Sequence, residues 1–181
     1  PSPDIQLHFA FSMVDQHGLK KHGRGGFTCH ICVLRPKSVG SVKLADANPN
    51  SPPLIDPAFL KDERDLDTML AGVKQAQQIM QAPSFDAHRG KALYAGASND
   101  DEELKEDIRN RADTIYHPVG TCKMGPDSDP NAVVDQRLRV RGIKSLRVID
   151  ASIMPKIVSG NTNAPSIMIG EKGAHMILED A

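Results

Sequence analysis

The chain has 181 residues, of which 39% are hydrophobic and 25% charged, and its formal net charge is −1 at pH 7. A chain of this length can form one sizeable core and at most two small domains. The near-neutral charge argues against nucleic acid as a partner, because phosphate binding needs concentrated lysine and arginine. No apolar run in the sequence approaches the ~20 residues that span a bilayer.

The first residues, Pro1-Ser2-Pro3-Asp4, resemble neither a signal peptide nor a natural N-terminus, so we expect a fragment of a longer protein. The sequence contains three cysteines, Cys29, Cys32 and Cys122. An odd and low number gives no disulfide framework and favours a reducing, cytoplasmic location.

The segment Cys29-His30-Ile31-Cys32 has the spacing of a redox or zinc motif. It lies within residues 27–34, a β-like run in which side chains alternate between faces and the two thiols separate. Further ligands at a spacing suited to zinc are not evident in the sequence. We therefore interpret the segment as a strand with two buried cysteines, and we predict no metal site.

Three short runs predict β-strands: residues 5–11, 27–34 and 41–45. The links between them are too short for the helical crossovers of parallel strands, so the three runs predict an antiparallel meander. A proline-rich loop over residues 48–53 then ends the regular structure.

Apolar residues at helical spacing, such as Leu66, Leu70 and Val73, predict a helix over residues 61–81. A second helix is predicted over residues 100–112, where an acidic start precedes a thin apolar edge.

The C-terminal third differs in composition, with glycine and proline at short intervals. It predicts a loop over residues 116–129, short strands over 137–140 and 146–149, and a helix over 166–179. The chain as a whole therefore predicts an α+β fold, with an antiparallel sheet and packed helices.

Two polar residues in this third, His117 and Asn161, lie in loops beside glycines, where catalytic groups concentrate. From the residues alone the signal is weak, since a single histidine in a loop is more often structural than catalytic. No Ser-His-Asp, HExxH, P-loop or GxSxG pattern accompanies them.

The order, spacing and length of several motifs resemble the C-terminal signature of the glucose–methanol–choline (GMC) oxidoreductases. The motifs are Tyr116-His117-Pro118-Val119-Gly120-Thr121-Cys122-Lys123-Met124-Gly125, Leu146-Arg147-Val148-Ile149-Asp150-Ala151-Ser152 and Gly160-Asn161-Thr162-Asn163-Ala164-Pro165. Upstream, Arg35-Pro36-Lys37-Ser38 and Ile55-Asp56-Pro57 resemble the start of the substrate domain of that family.

The resemblance implies an enzyme that oxidises an alcohol CH–OH group by hydride transfer to FAD. His117 matches the catalytic base, since an imidazole can hold or release a proton near neutral pH. Asn161 matches a second catalytic position, from which an amide can donate a hydrogen bond to the substrate oxygen. The resemblance also implies flavin contacts at four positions: Asp150, Ala151, Thr162 and Asn163.

The resemblance further implies a substrate-binding domain over residues 1–115. A catalytic and flavin-contacting segment over 116–181 then belongs to the same globular unit, and its last strands and helix pack on an FAD-binding domain. That domain normally carries a GxGxxG turn, which this sequence lacks. We therefore expect the N-terminal FAD-binding domain to be absent, FAD to bind weakly or not at all, the isolated chain to be inactive, and self-association through exposed apolar surface.

The motifs resemble most closely dehydrogenases of primary aliphatic alcohols and of choline. We favour an aliphatic alcohol, because choline needs aromatic or anionic partners and the chain has no Trp and only two Tyr. The rival prediction is a non-catalytic binding or dimerisation module that has kept the fold. By resemblance we expect a quinone as electron acceptor, with the full-length protein peripheral on the inner membrane.

Overall fold

The computed structural model describes residues 2–23 and 25–181; Pro1, with which the predicted fragment begins, lies outside the described residues. The chain divides into two compact units. The first contains the residues up to Gly40 together with Pro57–Asp113, and the second contains Ser41–Asp56 together with Thr114–Ala181. The functional boundary predicted between residues 115 and 116 stays a prediction.

In the first unit, strands β1 (Ile5–Ala10) and β2 (Thr28–Val33) form an antiparallel pair in which Leu7 lies opposite Ile31. Cys29 and Cys32 are both free thiols and point to opposite faces of β2, as the alternation predicts. The two cysteines are half-buried and not fully buried as predicted, because a two-stranded sheet covers little of its own surface.

Helix α1 (Glu63–Met80) packs against this hairpin. A Cβ at Gly72 would lie 2.7 Å from Cγ2 of Ile31 and 3.0 Å from Cδ1 of Ile5, so helix and sheet meet at the one position without a side chain. Asp65, which is 4% exposed, accepts hydrogen bonds of 2.8 Å from the backbone N–H groups of Lys37 and Ser38. The residues after β2 are thereby fixed to the start of the helix.

Helix α2 (Asp101–Arg111) packs on another face of α1. Leu104 and Ile108 bury their side chains against Leu66 and Leu70, which forms the aliphatic core of this unit. Asp100 caps α2 by accepting from the N–H groups two and three residues ahead, at 2.8 and 3.2 Å. Both predicted helices are confirmed, each with ends one or two residues inside the predicted range.

The predicted three-stranded meander is wrong. Strand β3 (Ser41–Lys43) does not continue the β1–β2 pair; it pairs antiparallel with β4 (Leu54–Asp56) as part of the second unit. The intervening loop folds back as a hairpin, because Asp46 and Asn48 accept hydrogen bonds from nearby backbone N–H groups. The α+β class is nevertheless confirmed, since the described residues form two small antiparallel sheets together with the helices.

The core of the second unit is built mostly from loops. Val134, which is 0% exposed, lies at its centre and joins Met124 and Val140 through single β-bridges. Between the predicted strands 137–140 and 146–149, the described backbone forms one such bridge, which joins Arg139 and Arg147. The two segments therefore form isolated bridges where the sequence predicted strands of four residues each.

Helix α3 (Asn163–Glu179) completes this unit and begins three residues before the predicted start. Pro165 lies within its first turn, where a residue without an N–H group is tolerated because no intrahelical partner exists there. Ile169 and Gly173 are buried on its inner side. Within the described ranges, no helix combines the length and apolar character needed to cross a membrane.

The end of α3 is fixed by a cluster of charges. Three arginines, Arg137, Arg139 and Arg147, each donate hydrogen bonds to the carboxylate of Asp180. Arg137 also donates to the backbone carbonyl of Met176 at 3.0 Å, which satisfies one of the free carbonyl groups at the helix end. The cluster joins the bridged loops to the C-terminal end of the helix.

Candidate active site

His117 lies in the loop that follows the first unit, and backbone contacts hold this loop in place. The N–H groups of Cys122 and Met124 donate to the carbonyls of Ser152 and Ile153 at 3.1 and 2.8 Å. The residue before the histidine, Tyr116, has φ 64°, a left-handed conformation that side chains disfavour. Such conformations recur at functional sites, where the surrounding structure enforces them.

Asn161 and Thr162 lie in the loop that leads into α3, and this loop also contains a left-handed residue, Ser159 with φ 63°. Thr162 occupies the N-cap position of α3 and is 7% exposed, whereas Asn161 is exposed. The helix start thus holds one side chain inside the protein and presents its neighbour to solvent.

These two loops bring three side chains together. Nδ2 of Asn161 lies 2.7 Å from Nε2 of His117, and Oγ1 of Thr162 lies 3.0 Å from Nδ1 of the same ring. Both imidazole nitrogens of the half-buried His117 therefore have a polar partner from the start of α3. The contacts join residues 44 and 45 positions apart in the sequence. The fold thus brings together the two residues for which the sequence predicted a catalytic role.

The other predicted flavin contacts lie at two short turns. The carboxylate of the exposed Asp150 accepts from the N–H of Ser152 at 2.7 Å and so caps the turn Ala151–Ile153. Asn163 is exposed in the first turn of α3, where backbone N–H groups have no intrahelical partner. A contact of either residue with flavin stays a prediction.

One feature of the site was missed from the sequence. Thr162 was interpreted only as a flavin contact, whereas its hydroxyl reaches Nδ1 of His117. A signal was available in the sequence: Pro165, three residues on, has no N–H group and so cannot be capped by a threonine at the N-cap. Pro165 thus removes one of the two possible capping partners, and in the structure the hydroxyl makes neither capping bond and contacts the ring.

The loop beyond His117 is stabilised by a charged pair. Nζ of Lys123 donates to the carboxylate of Asp129 at 2.7 Å, and this hydrogen bond lowers the pKa of Asp129 below its ordinary value. The N–H of Asn131 donates to the other oxygen of the same carboxylate at 2.9 Å. The segment after the histidine is thus ordered by its own side chains.

The sequence model described as GMC oxidoreductase matches residues 36–170. The chain belongs to the GMC oxidoreductase family. The relatives of this GMC chain include an alcohol dehydrogenase [acceptor] from Pseudomonas putida, 50% identical over 177 residues, which are 97% of this chain and 32% of that protein. The mitochondrial choline dehydrogenase of Mus musculus is 44% identical over 178 residues, which are 98% of this chain and 30% of that protein.

Solved structures of family members share the fold. A pyridoxine 4-oxidase from Mesorbium loti superposes with a TM-score of 0.88 at 29% identity, over 97% of this chain and 34% of the other. A formate oxidase from Aspergillus oryzae, studied for the modification of its FAD, gives a TM-score of 0.85 at 26% identity, over 98% and 32%. The GMC chain spans about a third of the length of the curated relatives it matches.

Proposed function

We propose that this GMC chain carries the substrate-oxidising residues of an FAD-dependent dehydrogenase that converts a primary alcohol to an aldehyde. The supporting observation is the pair formed by His117 and Asn161, whose side-chain nitrogens lie 2.7 Å apart at the start of α3. The pair combines a proton acceptor with a hydrogen-bond donor, as alcohol oxidation requires.

In the proposed reaction, an imidazole nitrogen of His117 accepts the hydroxyl proton of the substrate. The amide N–H of Asn161 donates to the substrate oxygen and stabilises the negative charge that develops there. Asn161 cannot itself take the proton, so the role of base falls to His117 alone. FAD, when bound, supplies the acceptor for the hydride that leaves the carbon.

The residues at the two turns fit a flavin. The start of α3 offers free backbone N–H groups and the exposed amide of Asn163, which suit the polar edge of a ring system. The turn at the exposed Asp150 and the half-buried Ala151 offers a second polar contact. We propose that these residues and Thr162 contact FAD, with Thr162 and Asn163 acting partly through their backbone.

We propose an aliphatic primary alcohol as substrate, with choline as the alternative. The relative from Pseudomonas putida, named for alcohol, is 50% identical, whereas the choline dehydrogenase of Mus musculus is 44% identical. The test is to load the protein encoded by the complete reading frame with FAD and to measure kcat/KM for octanol and for choline with a dye acceptor. A higher value for octanol supports the proposal, and a higher value for choline replaces it.

The electron acceptor can be tested with the same FAD-loaded protein. We propose a quinone, although the relatives include an oxygen-dependent choline dehydrogenase from Escherichia coli, 42% identical over 176 residues. After reduction by substrate without oxygen, the flavin should be reoxidised faster by a soluble quinone than by air. Faster reoxidation in air would make the protein an oxidase.

We also propose that the purified 181-residue chain neither binds FAD tightly nor oxidises alcohol, because its sequence has no GxGxxG turn for the pyrophosphate. Titration with FAD should leave the flavin absorbance that of the free cofactor, and a tight one-to-one complex would refute the proposal. The rival reading is a binding or dimerisation module. We expect the isolated chain to self-associate in sedimentation under either reading, so absence of turnover in the FAD-loaded complete protein is the result that would favour the module.

A further inference from the structure

Thr162 occupies a position at which threonine usually caps a helix, yet its hydroxyl makes no capping hydrogen bond. The hydroxyl lies instead 3.0 Å from Nδ1 of His117, and the residue is 7% exposed. A buried hydroxyl beside a ring nitrogen is its direct hydrogen-bond partner, and it can either accept from that nitrogen or donate to it.

A neutral imidazole carries one proton, so the two contacts of the His117 ring depend on each other. If Nδ1 carries the proton, it donates to Oγ1 of Thr162, and Nε2 accepts from the amide N–H of Asn161. If Nε2 carries the proton, the amide of Asn161 must present its oxygen, and Nδ1 accepts from the threonine hydroxyl. Only the first arrangement leaves Nε2 able to take a proton beside Asn161.

We propose that Thr162 is a positioning residue that accepts a hydrogen bond from Nδ1–H of His117 and so keeps Nε2 unprotonated, facing Asn161. In the first arrangement the bond from Nδ1–H to Oγ1 is kept, because Nδ1–H donates both before and after Nε2 gains a proton. Only the amide N–H of Asn161 must leave Nε2 when that nitrogen is protonated, and it is then available to the substrate oxygen. The position of the proton on the ring can be tested in the chain without FAD. Its consequence for catalysis rests on the proposed function.

A second contact opposes this arrangement weakly. The backbone N–H of Thr162 points toward Nδ1 at 3.4 Å, which would favour an unprotonated Nδ1. This separation exceeds the ordinary range for N–H hydrogen bonds, whereas 3.0 Å for the hydroxyl lies within it. The hydroxyl contact is compatible with either tautomer, and the amide nitrogen of Asn161, 2.7 Å from Nε2, favours the one with the proton on Nδ1.

The tautomer is measurable in the purified chain by long-range 1H–15N correlation of the imidazole rings at about pH 9, well above the ordinary pKa of histidine. The His117→Gln variant identifies the signals of His117 among those of the seven histidines. We expect the wild-type ring to carry its proton on Nδ1. Thr162→Val, which keeps the shape and removes the acceptor, should shift the population toward Nε2–H, and Thr162→Ser should restore the wild-type spectrum.

Ser166→Ala is the matched control, because it removes a hydroxyl from the same helix start that donates to the carbonyl of Thr162 and does not touch the ring. Its His117 spectrum should be that of the wild type. A wild-type ring protonated on Nε2, or a Thr162→Val ring unchanged from the wild type, overturns the proposal. Because the hydroxyl makes no capping bond, Thr162→Val should keep the start of α3 and should lower the thermal midpoint only through the lost hydrogen bond with the ring.

A kinetic measurement in the FAD-loaded protein of the complete reading frame tests the consequence for turnover. Thr162→Val should lower kcat about 10-fold, the equivalent of one lost hydrogen bond, with KM for the alcohol little changed. Thr162→Ser should restore it. If the wild type does not oxidise alcohols, the proposed function fails while the tautomer result stands. If it does and Thr162→Val is fully active, the positioning role is wrong.

Discussion

The two units of the chain are stabilised in different ways. In the first, α1 and α2 bury an aliphatic cluster around Leu104, the hairpin packs on α1, and the backbone is satisfied by ladders and helical hydrogen bonds. In the second, α3 packs on loops that are joined by single bridges around Val134. In this second unit, side-chain hydrogen bonds hold backbone segments together, as the hydrogen-bond ladder of the β-hairpin does in the first.

All the candidate functional residues lie in the second unit. Loops can bring His117 to residues 44 and 45 positions later in the sequence, whereas regular elements fix their side chains at set intervals. The start of α3 then supplies a rigid base for Asn161 and Thr162. The comparison indicates that regular packing provides stability in one unit, and that irregular backbone on a helix provides the chemistry in the other.

The largest expected effect comes from His117→Gln, which removes the proposed base from the second unit. It should lower kcat for the alcohol by about 10²–10⁴-fold, because no other group in the pair can take the proton. The measurement is dye-coupled turnover of the FAD-loaded protein. His175→Gln, on an exposed position of α3, is the control and should keep wild-type turnover.

Removing the core of the first unit should reduce stability and leave the site intact. Leu104→Ala should lower the free energy of unfolding by about 2–5 kcal/mol, since Leu104 is 2% exposed and its side chain would leave a cavity. Urea unfolding measures the loss. Leu19→Ala, at a highly exposed leucine of the same unit, should change it little, and an equal loss from both variants would contradict the assigned core.

Helix α3 offers a matched pair of glycines in the second unit. A Cβ at Gly173 would overlap the side chain of Ile149, so Gly173→Ala should cost about 1–3 kcal/mol of unfolding free energy. At Gly170 no atom lies within 4 Å of the added Cβ, and Gly170→Ala should stabilise the helix by up to about 1 kcal/mol. Thermal unfolding should therefore move in opposite directions, and a shift of the same sign would show that α3 packs differently.

Disrupting the arginine cluster around Asp180 should cause the smallest loss of stability, and this loss should depend on pH. The pKa of Asp180 is lowered mainly by the hydrogen bond from Arg147, and the hydrogen bond from Arg139 is the next largest cause that lowers it. A carboxyl whose pKa is lowered in the folded state stabilises the fold at pH values above its unfolded pKa of about 3.9. This contribution is lost as the pH falls through the pKa of the folded state.

Asp180→Asn should therefore be less stable than the wild type in urea at pH 7, and the difference should shrink as the pH falls below about 4 and as salt is added. Asp127→Asn, at an exposed carboxylate paired with Arg141 alone, should have a smaller effect. A pH-independent difference for Asp180 would show that the cluster acts through packing and not through charge.

The first unit was predictable from the sequence where periodicity is strong. The apolar spacing through Leu66 and Leu70 predicted α1 and its buried side, and the acidic start predicted α2. The partner of β3 was not predictable, because strands of three residues carry too little pattern to fix which strand they join. Proximity along the chain favoured β2, whereas the structure pairs β3 with Leu54–Asp56.

For the second unit, periodicity predicted α3 and glycine and proline predicted the loop over 116–129, while the roles of the loop residues followed only from the resemblance to the GMC family. The motifs indicated that His117 and Asn161 matter, and the structure brings them together. The contact of Thr162 with the ring was missed because a threonine before a helix ordinarily predicts a cap, and Pro165 signalled only that one capping partner is absent. Contacts between loops depend on backbone conformations, such as φ 64° at Tyr116, that residue types specify poorly.

The central claim is that His117 and Asn161 act together on one substrate oxygen. Its most direct test is a double-mutant cycle in the FAD-loaded protein of the complete reading frame, with kcat/KM for octanol measured for His117→Gln, Asn161→Ala and the double variant. We predict that each single variant loses activity and that the double variant is no slower than His117→Gln alone. Fully additive losses, or an Asn161→Ala variant as active as the wild type, would contradict the account.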